Sequence, residues 1–160
     1  MTEHEQRGQR RSPEVPLRIE CVYLTCFRSE FSFLATTLNY SRVRMLRAES
    51  LDEADFLLTV TGATAFLSDT TFLDGTWRDA LDMAAEFHPL AASLIVADPV
   101  DWQFLSDAYT RGACGVLWKP VDFIQALERI RAADQAARDR ATWIEEQPLS
   151  ERLRPSVLPR

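Results

Sequence analysis

Five apolar, β-rich runs alternate with five helix-like segments, and this alternation restricts the fold more than any other property of the chain. Residues 19–25 (IECVYLT) read as a first strand. Ser29 then stands as a cap before Phe31, Leu34, Ala35 and Leu38 at helical spacing. Residues 42–48 alternate as a half-exposed strand does. Ser50-Leu-Asp-Glu53 forms a capping box, and Gly62 is a stop signal. Residues 63–68 (ATAFLS) and 92–97 (ASLIVA) are short, fully apolar runs of the kind that fill the centre of a parallel sheet. Between them a second capping box, Thr76 to Asp79, opens a helix with Trp77, Ala80, Leu81, Ala84 and Phe87 on one face. Residues 102–111 make a helix closed by Gly112, residues 115–118 a fifth strand. Asp122 caps a last helix with Phe123, Ala126, Leu127 and Ile130 inward, running towards Gln147. Strands in strict alternation with helices predict a mostly parallel sheet covered on both faces. Right-handed crossovers wind such a sheet doubly.

The 160 residues suit one domain. Residues 1–18 and 148–160 lack apolar periodicity and carry five of the eight prolines, so both are expected to be flexible. Four arginines against three glutamates leave the first segment at +1, and three arginines against Glu151 leave the last at +2. Of a total of −6, residues 19–147 therefore hold −9. An acidic body argues against direct nucleic-acid binding. No run of about 18 apolar residues suggests a membrane span, and the polar N-terminus lacks a signal core, so a cytoplasmic location is expected. Cys21, Cys26 and Cys114 have no metal-ligand spacing to one another or to His4 and His88, which predicts reduced thiols and no metal site. Cys26 reads first as a small buried residue, with a reactive thiol at a helix start as the alternative. His88 reads as an exposed loop residue.

In a doubly wound sheet the functional crevice lies at the carboxyl ends of the strands. The residues there are Thr25 and Cys26, Asp69, Ala97 and Asp98, and Lys119. Gly112-Ala-Cys-Gly-Val-Leu-Trp-Lys119-Pro120, followed by the helix from Asp122, resembles the last strand and helix of the receiver domain of two-component response regulators. Ser68-Asp69, at the end of the third strand, resembles the position of that family's phosphorylated aspartate. The resemblance spans residues 19–133, with residues 134–147 extending the last helix. It implies a flavodoxin-like (βα)5 doubly wound parallel sheet in one domain. In the family an Asp carboxylate takes a phosphoryl group, two acids after the first strand help it hold Mg²⁺, and the Lys pairs with carboxylate and phosphoryl oxygens. A Thr or Ser after the fourth strand and an aromatic residue on the last one act as the switch.

The chain departs from that pattern at most of these places. Thr25 and Cys26 stand where the acidic pair belongs, Ala97 at the Thr/Ser position and Val116 at the aromatic one. Glu20 lies early in its strand and Glu30 is already in the helix. Asp98 adds a negative charge beside an incoming phosphoryl group. Like charges a few ångströms apart cost several kcal/mol at an effective dielectric near 20, and each ~1.4 kcal/mol slows a reaction tenfold. Asp69 and Lys119 are therefore expected to form a standing ion pair, shared with Asp98. Lys119 is the only lysine of the chain, and a cis bond before Pro120 would aim it.

Three readings stay open. The first is a degenerate receiver that is not an enzyme, needs no cofactor and signals through protein contacts. Its partners would be a histidine kinase, a downstream regulator or a second copy of the chain. The second is a receiver still phosphorylated on Asp69, for which Mg²⁺ would be required. The third is a small flavodoxin-like cofactor-binding enzyme, against which stands the lack of a Gly-rich loop after the first strand. Trp118 reads as a near-surface dimer contact. The charged face of the extended last helix reads as a docking face or as a frayed end. Residues 134–160 hold too little apolar helix for a DNA-binding output domain.

Overall fold

The computed structural model describes residues 18–99 and 101–152; the expectations for residues 1–17 and 153–160 lie outside it. Five parallel strands form the sheet: β1 (Ile19–Leu24), β2 (Val43–Ala48), β3 (Ala65–Asp69), β6 (Ala92–Ala97) and β7 (Ala113–Trp118), in the order β2-β1-β3-β6-β7. Between β3 and β6 the chain makes a small antiparallel hairpin, β4 (Thr71–Phe72) and β5 (Gly75–Thr76). Helices α1 (Arg28–Asn39) and α5 (Phe123–Glu146) cover one face. Helices α2 (Leu51–Thr61), α3 (Trp77–Phe87) and α4 (Trp102–Thr110) cover the other. A short turn of helix, α6 (Leu149–Arg152), falls inside the segment expected to be flexible.

The period of two along each strand sorts the core into two faces. Tyr23, Val43, Met45, Leu67, Leu94, Val96 and Leu117 pack under Leu34 and Leu38 of α1 and Ala126, Ile130 and Ala133 of α5. Val22, Leu24 and Phe66 meet α2 and α3, while Ile95 and Val116 meet Trp77 and Leu81 of α3 and Ala108 of α4. The box at Thr76 closes, whereas at Ser50 only the hydroxyl half forms and the Glu53 carboxylate takes the Glu49 N–H at 3.1 Å. The Ser50 hydroxyl accepts from the Glu53 N–H at 3.2 Å, and the Thr76 N–H donates to the Asp79 carboxylate at 2.9 Å. Asp101 and Asp122 cap α4 and α5 in the same way. Gly62 ends α2 in the left-handed region at φ +64°.

Several expectations are corrected. The helix after β1 starts at Arg28 and is not capped by Ser29, because the Phe27 N–H donates to the Thr25 hydroxyl at 3.1 Å and turns the chain two residues early. Strand β3 runs to Asp69, so this residue belongs to the ladder opposite Val96. The hairpin after it was not anticipated. The Asp74 carboxylate accepts from the Leu51 N–H at 3.1 Å and ties the hairpin to α2. A Cβ on Gly75 would lie 2.7 Å from the Asp79 oxygen that accepts from the Thr76 N–H, so a larger residue would push that cap aside. His88 is half-buried, its Nε2 2.6 Å from Asp55 Oδ1, because the end of α3 packs beside α2. Trp118, read as near-surface, is half-buried beside Phe104 and Leu105 on the α4 side of the core, and this does not contradict that reading. Helix α5 is docked on its own body well beyond residue 133. Asp134 accepts from the Thr64 hydroxyl, Ala137 is buried, and Arg140 donates to the Pro89 carbonyl at 2.9 Å.

Two backbone positions offer a paired test. Arg42 adopts φ +61°, a region costly for a side-chain-bearing residue. Arg42→Gly is expected to leave stability unchanged or raise it, whereas Gly62→Ala should lower it by about 1 kcal/mol or more. Urea unfolding of the two variants checks both signs.

Candidate functional site

Strands β1 and β3 are neighbours, yet their outgoing helices leave to opposite faces, so a crevice opens between their carboxyl ends. Alternation decides what points into it. Tyr23, Thr25, Asp69 and Lys119 all follow the inward series of the α1/α5 face, and their side chains converge. The Tyr23 hydroxyl donates to Asp69 Oδ1 at 2.7 Å and the Thr25 hydroxyl donates to Oδ2. Lys119 Nζ lies 3.7 Å from Asp69 Oδ1. Its own backbone N–H is held by the Ala97 carbonyl at 2.8 Å, and the Lys119–Pro120 peptide bond is cis.

Lys119 has a second carboxylate. Glu30 Oε2, on the first turn of α1, is 3.6 Å from Nζ, and the Phe27 ring lies 4.8 Å from it. The ammonium thus bridges a dry carboxylate and a half-exposed one, with an aromatic face beside it. Asp69 is only 1% exposed. Burial raises its proton affinity; the Thr25 and Tyr23 hydroxyls and the Lys119 charge oppose this, Glu30 adds to it, and the net direction is upward. Burial, then the Asp69 charge, also push the Tyr23 phenol up, so it stays a hydrogen-bond donor.

The structure therefore brings Asp69, Lys119 and Thr25 together. It does not bring Asp98 in: that residue is exposed and has no ion pair among the described residues, so the expectation that it shares Lys119 is corrected, and Glu30 takes that place. Cys26 is exposed, not buried, because the chain leaves the sheet at Thr25. Ala97 and Val116 sit together on the opposite face, in the apolar cluster under α3 and α4. Tyr23 and Glu30 were missed as site residues. The signal for Tyr23 was its spacing of two from Thr25, which fixes a common face. For Glu30 it was the early start of α1, which the Thr25 turn sets.

The donor set does not fit a divalent cation. Mg²⁺ needs several free oxygens in octahedral array, but both Asp69 oxygens already accept hydroxyl protons and the end of β1 supplies a threonine. Among the described residues no three His, Cys, Asp or Glu side chains cluster to hold a metal.

The raised proton affinity of Asp69 has a signed consequence. The folded chain holds this proton more tightly than the unfolded chain does, so the associated stability is present below the ordinary aspartate pKa near ~3.9 and is lost as pH rises through the higher folded value. The stability of the wild type relative to Asp69→Asn is expected to fall as pH climbs over that window. Urea titrations of both proteins from about pH 3.5 to pH 7 measure the slope.

No protein-family model matches the chain, and no curated protein does. Solved structures match it closely in shape. The signal receiver domain of a putative LuxO repressor protein from Vibrio parahaemolyticus superposes with a TM-score of 0.72 at 14% identity, over 82% of this chain and 100% of that one. A CheY-like response regulator receiver domain protein from Methanospirillum hungatei JF-1 gives 0.69 at 15% identity, over 76% and 98%. A response regulator receiver domain protein from Clostridium thermocellum gives 0.68 at 18%, over 78% and 98%. Identities this low speak to the fold alone, and on that point they agree with the strand order: the chain has the fold of response regulator receiver domains, a single flavodoxin-like α/β unit.

Proposed function

We propose that the chain is a receiver-type domain of two-component signal transduction that works through protein contacts, with phosphoryl transfer to Asp69 weak or lost. The observation that carries this reading is the occupied carboxylate. An attacking oxygen must come within about 3 Å of phosphorus, and each hydrogen bond it accepts lowers its nucleophilicity. Both Asp69 oxygens are engaged by Tyr23 and Thr25, the side chain is almost fully buried, and Lys119 is neutralised by two acids. With Thr25 and Cys26 in place of acids, Asp69 lacks the carboxylates that would help it hold a Mg²⁺ against an arriving phosphate. On this reading the domain is not an enzyme. Its partners are proteins: a histidine kinase, a downstream regulator or a second copy. The acidic body supports the exclusion of nucleic acid. No helix among the described residues is long and apolar enough to cross a membrane, which is compatible with a cytoplasmic setting.

A second reading keeps Asp69 as a phosphoacceptor. It is favoured by one observation, the meeting of Asp69 and Lys119 at the strand ends. Incubation with Mg²⁺ and acetyl phosphate, read by intact mass, separates the two. The expected result is no mass gain for the wild type, and a gain after Thr25→Asp with Cys26→Asp installs the missing acids. A wild-type gain that Asp69→Asn abolishes would establish the second reading and overturn the first.

A further inference from the structure

Ser93 is the second residue of β6, at the opposite end of the sheet from Asp69. It is 6% exposed, and its hydroxyl makes no hydrogen bond among the described residues. The hydroxyl is not sealed off but opens onto a cavity, from which a partner can reach it. Ser93 lines a cavity of about 350 Å³ between the end of α3, the end of α4 and the starts of β6 and β7. Leu81 and Ala84 give this cavity an apolar side, and Tyr109, Arg111 and Arg140 give it a polar one.

The polar groups there are short of acceptors. A guanidinium can only donate. Arg140 is half-buried, gives one N–H to the Pro89 carbonyl at 2.9 Å and has no carboxylate within ion-pair distance among the described residues. Arg111 is held by Asp107 at 3.1 Å and Asp82 at 3.4 Å and presents its remaining N–H groups. Water can solvate both the Ser93 hydroxyl and the half-exposed guanidinium, but it brings no charge to pair with Arg140. The group that meets both demands carries negative charge and several acceptor oxygens.

We propose that this cavity is a binding site for a small organic anion, a carboxylate or phosphate group on an apolar body. Arg140 supplies the charge, Ser93 the buried hydrogen bond, and Leu81 and Ala84 the surface for the apolar part. The volume lies at the lower end of ligand sites, which favours a ligand about the size of one aromatic ring with its anionic group. The site is separate from the Asp69 crevice and does not depend on what that crevice does.

The test is an NMR titration of the full chain with benzoate and phenyl phosphate, with benzamidine and benzyl alcohol as cationic and neutral counterparts. Saturable shifts centred on Ser93, Tyr109, Arg111 and Arg140 are expected with the two anions and not with the counterparts, and the stronger of the two anions identifies carboxylate or phosphate as the preferred group. Arg140→Leu should weaken binding by roughly tenfold or more, and Ser93→Ala by roughly fivefold. Ser93→Ala removes no internal hydrogen bond, so it is expected to keep the wild-type melting temperature and remains readable if Arg140→Leu disturbs α5. The proposal is overturned by equal binding of benzamidine or benzyl alcohol, by affinities that neither substitution changes, or by no saturable shift below about 20 mM. Tighter binding of an acidic peptide at the same residues also overturns it, by making the cavity a protein-docking pocket.

Discussion

Keeping one carboxylate dry organises the whole carboxyl edge of this sheet. An isolated buried carboxylate is prohibitively costly unless donors and opposite charge surround it. Asp69 draws these from two distant parts of the chain. Tyr23 and Thr25 come from the end of β1, its neighbour in the sheet, and Lys119 reaches in from the end of β7, two strands away on the other side. The backbone bond from Lys119 to the Ala97 carbonyl fixes the root of that reach. The same carboxylate therefore cross-links β1, β3 and β7, and the strand that separates β3 from β7 contributes only backbone.

The two faces of the sheet divide chemistry from packing. The polar contacts of the Asp69 carboxylate lie on the α1/α5 side, and through Lys119 they continue to Glu30 and the Phe27 ring at the start of α1. On the other side Ala97 and Val116 present only methyl groups to Trp77 and to the helices above them. A change at Asp69 is thus coupled by direct contacts to the first turn of α1, whereas nothing polar links it to α4. This asymmetry follows from residue types at two positions, since a hydroxyl at 97 would add a polar group to the α4 side.

The order of strands and helices was readable because long apolar runs and caps are local signals. Ser50, Thr76, Asp101 and Asp122 cap the helices they precede, and Gly62 stops the one it follows. Asp69 and Lys119 were readable as a pair because both end buried strands. What could not be read was decided by contacts distant in sequence or by a single turn. The Thr25 turn starts α1 early and carries Glu30 to Lys119, so the acid dismissed as helical becomes the second partner, while Asp98, nearer by strand counting, faces solvent. The exposure of Cys26 follows from the same turn. His88 is half-buried because Asp55, 33 residues earlier, meets it across two helices. The hairpin at β4 and β5 has strands of two residues, too short for periodicity to register.

The single lysine in an arginine-rich chain is explained by this geometry. The other seventeen cations of the chain are arginines, and among the described residues planar forks pair with carboxylates such as Asp107 and Asp134. At position 119 the cation must approach three things from different directions: Asp69 Oδ1 at 3.7 Å, Glu30 Oε2 at 3.6 Å and the Phe27 ring at 4.8 Å. A compact ammonium is a point charge and satisfies all three from one position. A guanidinium is wider and directs its donors in one plane, so it can match one carboxylate well only by turning away from the other. Asp69 already accepts a hydroxyl on each oxygen, so a bidentate fork would have to share both with Tyr23 and Thr25. A point charge suits this position because it can share the carboxylate with the two hydroxyls already on it.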